Sequence, residues 1–211
     1  MGKMDEQIIV VNRASLFGEG ADDLTFQGTE QEKEHIVKLE KRIAEHYKVM
    51  RRGDAEENPL YKQPIPYAVL KKGNLYFTYR RLGGGGESRL YGKLSIGVGG
   101  HMNAVTNATN FKEVLQTNLN REINEELRIE NAGDLDIQTI GLINDDDTEV
   151  GHVHIGVLIA IKLPDDAFVT VREEDKLEGS WRSLNELRTP DVYSRMESWS
   201  ALAIDALNRD E

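Results

Sequence analysis

The segment Arg121–Glu126, which reads Arg-Glu-Ile-Asn-Glu-Glu, constrains the fold and chemistry of this chain more than any other. On a helical wheel with about 100° per residue and Leu115 at zero, its three glutamates fall near 280°, 340° and 20°. They are Glu125, Glu122 and Glu126, in that order, and they border an apolar stripe. Partly buried carboxylates that converge in this way repel one another unless a cation compensates. Hard oxygen donors of this charge suit Mg²⁺ or Mn²⁺.

A run such as Glu-x-x-Glu-Glu is by itself most often a solvated helix face. The wider spacing is more specific, because Glu113 lies eight positions before Arg121 and an apolar residue closes the pattern. The pattern resembles the Nudix box of the Nudix hydrolases, which reads Gly, five residues, Glu, seven residues, Arg-Glu-apolar-x-Glu-Glu-x-Gly-apolar. The resemblance implies that Glu122, Glu125 and Glu126 hold Mg²⁺ or Mn²⁺ and take part in catalysis. It also implies that Glu113 assists and that Arg121 orients the carboxylates through ion pairs.

Two glycines of the box are replaced in this chain, by Asn107 at its start and by Arg128 near its end. The string Ser95–His101, which reads Ser-Ile-Gly-Val-Gly-Gly-His, resembles a bacterial branch of the superfamily described as predicted phosphoesterases. Members of that branch also carry an N-terminal extension. The replaced glycines leave the metal-binding glutamates intact, but they change the loop expected around a diphosphate.

The glycine pair that opens the box in other members is displaced here to Gly99-Gly100. Backbone N–H groups of glycines approach a pyrophosphate closely, and His101 adds a donor, so these are candidate substrate-binding residues. A structural hydrogen bond is an equal alternative for His101. The inserted residues 102–110 are expected to form one wall of the diphosphate site, with Asn110 or Thr109 capping the metal-binding helix.

The composition predicts a cytoplasmic enzyme. The 211 residues suffice for one domain with an appendage, and without cysteine neither a disulfide framework nor a thiolate metal site can form. The apolar run Ile8–Val11 is too short for a signal peptide or a membrane span. The net charge of −11 disfavours nucleic acid. Bound metal ions and local arginines still allow a small phosphorylated substrate, such as a nucleotide derivative.

Hydrophobic periodicity predicts a chain of the α/β (α+β) class. Strands are expected at 7–12, 67–70, 75–80, 94–98, 135–143 and 153–161, and a connecting segment at 53–66. Helices are expected at 29–50, at 111–128 and from Pro190 to about Asn208, with capping boxes at Thr29–Glu32 and Ser183–Glu186. The order resembles a Nudix domain over 64–211, a mixed sheet between helices. Residues 1–63 are expected to form an N-terminal extension that packs on this domain or on a dimer partner.

Two further groups are candidates for substrate binding and catalysis. Arg80 and Arg81 end a predicted strand, and because neighbouring strand residues point to opposite faces, at most one enters the site. Arg80 is taken as the candidate for binding phosphate through its guanidinium. In several Nudix hydrolases a glutamate of a late loop activates the attacking water. The candidates here are Glu173, Glu174 and Glu178, which an exposed loop would equally explain, and Glu174 is taken as the general base.

Three other features receive plainer interpretations. Gly83–Gly86 is expected to be a mobile loop and not a P-loop, because no Lys-Ser or Lys-Thr pair and no helix start follow. His152 and His154 alternate on a predicted strand, so a metal pair is one interpretation and ordinary polar positions are the other. The run Asp145–Glu149 is expected to be a solvated loop, with an auxiliary cation as the alternative.

The function predicted from these residues is metal-dependent hydrolysis of a diphosphate linkage in a nucleoside diphosphate joined to another group. One alternative is a catalytically silent Nudix module that senses a ligand, which the replaced glycines and the inserted loop favour. The complete glutamate set counts against it. A second alternative is an isomerase acting on an isoprenoid diphosphate. The best-known form of that enzyme needs a cysteine, which this chain lacks.

Overall fold

The computed structural model describes residues 2–82, 91–133, 135–172 and 174–207. The expected loop Gly83–Gly86 and Glu173 lie outside these residues. The strands are β1 (Gln7–Asn12), β2 (Gly28–Glu30), β3 (Tyr47–Arg51), β4 (Tyr61–Lys72), β5 (Leu75–Arg81), β6 (Leu94–Ser95), β7 (Gly97–Val98), β8 (Leu127–Glu130), β9 (Asp136–Asn144), β10 (His154–Leu163), β11 (Phe168–Val171) and β12 (Leu177–Ser183). The helices are α1 (Arg13–Phe17), α2 (Lys33–His46), α3 (Arg52–Glu56), α4 (Phe111–Glu126), α5 (Glu149–Val153), α6 (Leu184–Leu187), α7 (Pro190–Tyr193) and α8 (Ser198–Leu207).

Most of the strands belong to one mixed sheet, whose hydrogen-bonded path runs β12-β5-β4-β10-β9-β2. Off this path, β1 pairs with β3 and β4, β6 pairs with β5, and β7 pairs with β4. Strands β8 and β11 form a separate antiparallel pair. The combination of a mixed sheet with helices confirms the predicted α/β (α+β) class.

Two compact units divide the chain. The first comprises the described residues of Met1–Pro66, Gly99–Asn120 and Gly141–Val157. The second comprises those of Tyr67–Val98, Arg121–Ile140 and Leu158–Glu211. Because β4, β9, β10 and α4 each contribute residues to both units, the boundary does not follow the chain order.

The first unit is built around β1, whose residues Ile8–Val11 are buried. Strand β1 pairs antiparallel with β3, from Gln7 opposite Arg51 to Val11 opposite Tyr47. Helix α2 buries Ile36, Leu39 and Ile43, as its periodicity predicts. These apolar faces give the N-terminal segment a core within this unit.

The helix expected at 29–50 is wrong at both ends. Gly28–Glu30 is a strand paired with the end of β9, and Tyr47–Arg51 is β3. The helical spacing of Tyr47 and Met50 is overridden because β1 offers backbone groups that β3 satisfies. Part of the expected connecting segment 53–66 is also ordered, since α3 ends at Glu56 and β4 begins at Tyr61.

The second unit packs β12 antiparallel on β5, with Leu177 opposite Arg81 and Ser183 opposite Leu75. The rings of Phe77 and Trp181 meet edge to face across this pair, with centroids 5.3 Å apart. The predicted capping box is confirmed, because Ser183 Oγ accepts from the Glu186 N–H and Glu186 Oε2 accepts from the Ser183 N–H.

The single helix expected from Pro190 onward is wrong, because it is interrupted between α7 and α8. The backbone of this interval pairs instead with Leu94. The Leu94 N–H donates to the Arg195 carbonyl, and the Glu197 N–H donates to the Leu94 carbonyl. No helix in the described ranges has both the length and the apolar character needed to cross a membrane.

Candidate functional site

Helix α4, which carries the Nudix-like pattern, begins with a reciprocal cap. Asn110 Oδ1 accepts from the Glu113 N–H at 3.0 Å, which confirms Asn110 as the capping residue. The Glu113 carboxylate accepts from the Thr109 N–H at 2.8 Å and from Thr109 Oγ1 at 2.7 Å. These hydrogen bonds hold the pKa of Glu113 below its usual value. Glu113, expected as an assisting metal ligand, is therefore engaged in starting the helix.

The other three glutamates of the pattern lie in the last two turns of α4, in the second unit. Glu122 is buried, with 8% exposure, whereas Glu125 is exposed and Glu126 is half-buried. Arg121 Nη1 lies 2.8 Å from Glu122 Oε1 and 3.4 Å from Glu125 Oε1. The ion pairs predicted for Arg121 are confirmed. One guanidinium thus holds two of the carboxylates on one side of the helix.

The charge of Glu126 is felt by Tyr79 and Arg81 of β5. Burial raises the pKa of the Tyr79 hydroxyl well above its usual value, and Glu126 raises it further. Burial alone would lower the pKa of Arg81, but Tyr79, Glu197 and Glu126 together raise it. Arg81 Nε also lies 2.6 Å from Glu197 Oε1. Glu126 therefore belongs to a partly buried polar cluster that includes Arg81.

Arg80, the arginine taken as the substrate-binding candidate, lies on the other face of β5. Its Nη2 is 2.7 Å from Glu178 Oε2, and both side chains are exposed. Arg80 and Glu174 share a cavity of about 400 Å³. The residues that line this cavity include Arg80, Val169, Val171, Glu174, Leu177 and Glu178. The structure thus brings Arg80 and Glu174 together, and strand alternation directs Arg80 away from the face of Tyr79 and Arg81.

The glycines before α4 have different structural roles. At Gly97 an added Cβ would lie 2.1 Å from Tyr67 Cζ, so the Tyr67 ring requires a glycine there. Gly99 and Gly100 follow β7 and are half-buried. Their expected contact with a pyrophosphate stays a prediction.

The two departures from the Nudix box are both accommodated locally. Asn107 has a φ of 69°, the left-handed conformation that glycine adopts freely and asparagine tolerates better than most residues. Arg128 lies on β8 and pairs with Glu130 at 2.7 Å, with both side chains exposed. The backbone shape at Asn107 is thus one that the missing glycine would also supply.

The insertion 102–110 is anchored within the first unit. The Met102 carbonyl accepts from the Ile9 N–H at 2.7 Å, and Met102 is buried. Asn118 Oδ1 accepts from the Asn103 N–H at 2.8 Å, while Asn118 Nδ2 donates to the Asn103 carbonyl at 2.9 Å. The start of the insertion is therefore fixed to β1 and α4, and its role in substrate choice stays a prediction.

His101 is held by side chains of the first unit. Its Nε2 lies 2.7 Å from Gln63 Oε1, 3.1 Å from His154 Nε2 and 3.4 Å from Glu56 Oε1. A hydrogen bond from His101 Nε2, together with the charges of His154, His101 and Arg52, lowers the pKa of Glu56 to about 2 even though burial opposes this. The structural hydrogen bond considered for His101 is present.

The expectation that His152 and His154 share one face of a strand is wrong. His152 is exposed in α5, with its Nδ1 3.6 Å from Asp146 Oδ1. His154 starts β10, is buried, and has its Nδ1 2.5 Å from the Val150 carbonyl. Burial lowers the pKa of His154 to about 4. Because His152 lies in the short helix α5 and His154 lies in β10, the two side chains do not alternate along one strand.

The expected solvated loop at Asp145–Glu149 is an ordered polar network. Asp146 is bound by two cations, with Lys62 Nζ at 2.8 Å from its Oδ1 and Arg13 Nη2 at 2.8 Å from its Oδ2. Asp145 is buried and accepts from Gln27 Nε2 at 3.1 Å. Lys62 gives no signal of this role in the sequence, because its partner Asp146 lies 84 residues away along the chain.

Known proteins match this chain over nearly all of its residues. No protein-family model matches it. It is similar to protein YmaB of Bacillus subtilis (strain 168), with 49% identity over 207 residues that cover 98% of this chain and 100% of that protein. It is also similar to the crystal structure of Tm1382, described as a proposed Nudix hydrolase. That similarity has 27% identity and a TM-score of 0.76, covering 98% of this chain and 100% of Tm1382.

Proposed function

The chain belongs to the Nudix hydrolase superfamily, and from this premise we propose that it hydrolyses a diphosphate linkage in a nucleoside diphosphate joined to another group. The observation that carries the proposal is the arrangement at the end of α4, where Arg121 pairs with Glu122 and Glu125 beside Glu126. Glu122 and Glu125, which the family pattern assigns to metal binding, are the two carboxylates that pair with Arg121.

The donor set at this position suits a hard divalent cation. The cluster contains the carboxylates of Glu122, Glu125, Glu126 and Glu197 and the guanidinium groups of Arg121 and Arg81. Four negative and two positive charges leave a net charge of −2, which one Mg²⁺ or Mn²⁺ ion neutralises. When bound, such an ion polarises the scissile P–O bond and lowers the pKa of the attacking water.

The chain's own side chains divide the remaining tasks. Glu122, Glu125 and Glu126 supply the oxygen ligands, and Arg121 fixes the orientation of two of them. Arg81, paired with Glu197, balances charge next to Glu126. Glu113 supports the start of α4 and is not needed as a ligand in this assignment.

Arg80 and Glu174 belong to the cavity on the other face of β5. A volume of about 400 Å³ falls within the range of small-molecule sites, and a guanidinium beside apolar walls suits a phosphate attached to an apolar or planar group. We assign this cavity to the group joined to the nucleotide. Glu174 is an exposed carboxylate at its edge, and its role as general base stays a prediction from the sequence.

A substrate panel tests the assignment. The purified protein is incubated with Mg²⁺ or Mn²⁺ and with nucleotide sugars, dinucleotides and nucleoside triphosphates, and the products are resolved by chromatography. Metal-dependent cleavage of at least one diphosphate compound is expected. Glu125→Gln and Glu126→Gln should each lower kcat by roughly 100-fold or more, because each removes a metal ligand.

The matched control is Glu130→Gln, which alters an exposed carboxylate on β8 close in sequence to the box. It should retain activity. Full activity and unchanged Mg²⁺ affinity in both box variants would contradict the assignment. Tight binding of a nucleotide derivative without any cleavage would favour the ligand-sensing alternative instead.

A further inference from the structure

A second cluster of metal-ligating side chains lies entirely within the first unit. It consists of Glu56 at the end of α3, His101 after β7, and His154 at the start of β10. One ligand atom from each residue lies within 4.8 Å of the other two. We propose that this Glu56–His101–His154 cluster binds a transition-metal ion, with Zn²⁺ as the preferred ion.

The spacing of the three ligand atoms fits one ion at their centre. His101 Nε2 lies 3.1 Å from His154 Nε2 and 3.4 Å from a Glu56 oxygen, and His154 Nε2 lies 3.9 Å from the other Glu56 oxygen. Ligands about 2.0–2.1 Å from a tetrahedral zinc ion are separated from one another by about 3.3 Å. The observed separations lie on either side of that value, so sub-ångström side-chain movements suffice to accept the ion.

His154 is preset as a ligand by its other ring nitrogen. The Val150 carbonyl can only accept a hydrogen bond, so His154 Nδ1, 2.5 Å away, carries the proton. In the neutral ring the lone pair is then on Nε2, which faces His101 and Glu56. A backbone carbonyl that fixes the tautomer in this way is the usual support of a metal-bound histidine.

His101 and Gln63 complete the site. In the apoprotein, the His101 Nε2 proton is surrounded by the acceptors Gln63 Oε1, His154 Nε2 and Glu56 Oε1. When a metal ion binds, the His101 ring takes its other neutral tautomer, with the proton on Nδ1, so that the Nε2 lone pairs of both histidines and the oxygens of Gln63 and Glu56 can face the ion. Gln63 is completely buried, and among the described residues its Nε2 has no hydrogen-bond partner. Its side chain is therefore positioned by the cluster, and its oxygen can fill the fourth coordination position.

The ligand types select the metal. Two imidazoles with one carboxylate suit Zn²⁺, and the affinity order of divalent ions at nitrogen sites disfavours Mn²⁺ relative to Zn²⁺. Mg²⁺ prefers an all-oxygen shell, so it should not compete here. The ion links three segments that are far apart in the chain, and it should therefore stabilise the first unit.

Metal titration of the tag-free, full-length protein tests the proposal. After treatment with a chelator, the protein is titrated with Co²⁺ followed by visible absorption, and with Zn²⁺ followed by calorimetry and thermal unfolding. With excess Mg²⁺ present to occupy the proposed hydrolase site, one equivalent of each ion should bind, Co²⁺ should give the intense band of a four-coordinate site, and Zn²⁺ should raise the melting temperature. Excess Mg²⁺ should not displace the Co²⁺ band.

Variants assign the ion to this cluster. Glu56→Gln and His154→Gln should each weaken Zn²⁺ binding by about 100-fold or more, whereas His154→Cys should retain it and add a thiolate–cobalt charge-transfer band. The matched control is His152→Gln, because His152 is an exposed histidine two residues away. Glu125→Gln, the control for the hydrolase site, should leave Co²⁺ absorption unchanged.

Failure of the wild-type protein to bind Zn²⁺ with micromolar affinity or better overturns the proposal, whatever the stability of the variants. Binding that is lost in Glu125→Gln or His152→Gln but kept in His154→Gln also overturns it. None of these readouts requires hydrolysis, so the metal cluster and the proposed hydrolase activity stand or fall separately.

Discussion

Lys62 is completely buried in the first unit, and its Nζ lies 2.8 Å from Asp146 Oδ1. The Gly151 carbonyl accepts a second hydrogen bond from the same nitrogen at 2.7 Å. Burial lowers the pKa of Lys62 to about 8, although Asp146 opposes that change. A buried ammonium of this kind depends on its carboxylate, because an unpaired charge in the interior is strongly unfavourable.

Removing this carboxylate should destabilise the protein severely. Asp146→Asn leaves Lys62 and Arg13 without their shared counter-charge, and we expect the free energy of unfolding to fall by about 3–5 kcal/mol. Asp147→Asn, at an exposed neighbouring position, should change it by no more than about 0.5 kcal/mol. Urea unfolding followed by circular dichroism measures both. Equal effects in the two variants would show that the pair adds little stability.

The contribution of Asp146 to the free energy of unfolding should also depend on pH. Burial acts to raise the pKa of Asp146, but hydrogen bonds from Arg13, Lys62 and Asn144 hold it well below its usual value. A carboxyl group whose pKa is lower in the folded state than in the unfolded state stabilises the fold fully at pH values above its unfolded-state pKa, which is near 4. This stabilisation is lost as the pH falls through the folded-state pKa. The stability difference between wild type and Asp146→Asn should therefore be about 1 kcal/mol smaller at pH 3 than at pH 5. A difference that widens between pH 5 and pH 3 would contradict this.

The left-handed backbone at Asn107 predicts a substitution series. Asn107→Gly should leave the melting temperature nearly unchanged, whereas Asn107→Ala should cost about 1 kcal/mol, because a Cβ is disfavoured at a φ of 69°. For a chain of this size, that corresponds to a fall of about 2–4 °C. Ala108→Gly serves as the control at the adjacent position. A more stable Asn107→Ala would show that the conformation is not required.

The sequence predicts the parts of this molecule that depend on local spacing. Helix α4 and its Asn110 cap could be predicted because apolar periodicity, capping chemistry and the glutamate pattern lie within one segment. Strand β3 could not, because the choice between helix and strand at Tyr47–Arg51 depends on pairing with β1, about forty residues earlier in the chain. Long-range pairing leaves no mark on the periodicity of the segment itself.

The metal-ligating cluster shows the same limit more strongly. Glu56, His101 and His154 are separated by 45 and 53 residues, so no spacing motif connects them. The sequence drew attention to His154, but with His152 as its neighbour. Only the turn at α5 and the close approach of α3 reveal the actual partners.

The two adjacent arginines of β5 should differ in their effect on stability. Arg81→Met removes the counter-charge of Glu197 in a partly buried cluster, and we expect a loss of about 1–3 kcal/mol. Arg80→Met breaks an exposed pair with Glu178 and should cost no more than about 1 kcal/mol. Both substitutions keep an unbranched aliphatic side chain in place of the arginine stem, so they should change side-chain packing to a similar extent. Chemical unfolding of the pair is the measurement, and a larger loss for Arg80→Met would contradict the assignment of Arg81 to the interior.

The anchor between Asn103 and Asn118 should be needed to hold the start of the insertion. Asn118 is buried, with 3% exposure, and its amide accepts from the Asn103 N–H and donates to the Asn103 and Val114 carbonyls. Asn118→Ala leaves the Asn103 backbone groups without these partners and should cost about 2 kcal/mol. Because the loss is local, hydrogen exchange at the Asn103 amide should accelerate more than exchange in β12 of the second unit. Asn124→Ala, at an exposed position of the same helix, is the control and should leave Asn103 protected. Unchanged exchange at Asn103 in Asn118→Ala would show that Met102 and β1 alone hold the insertion in place.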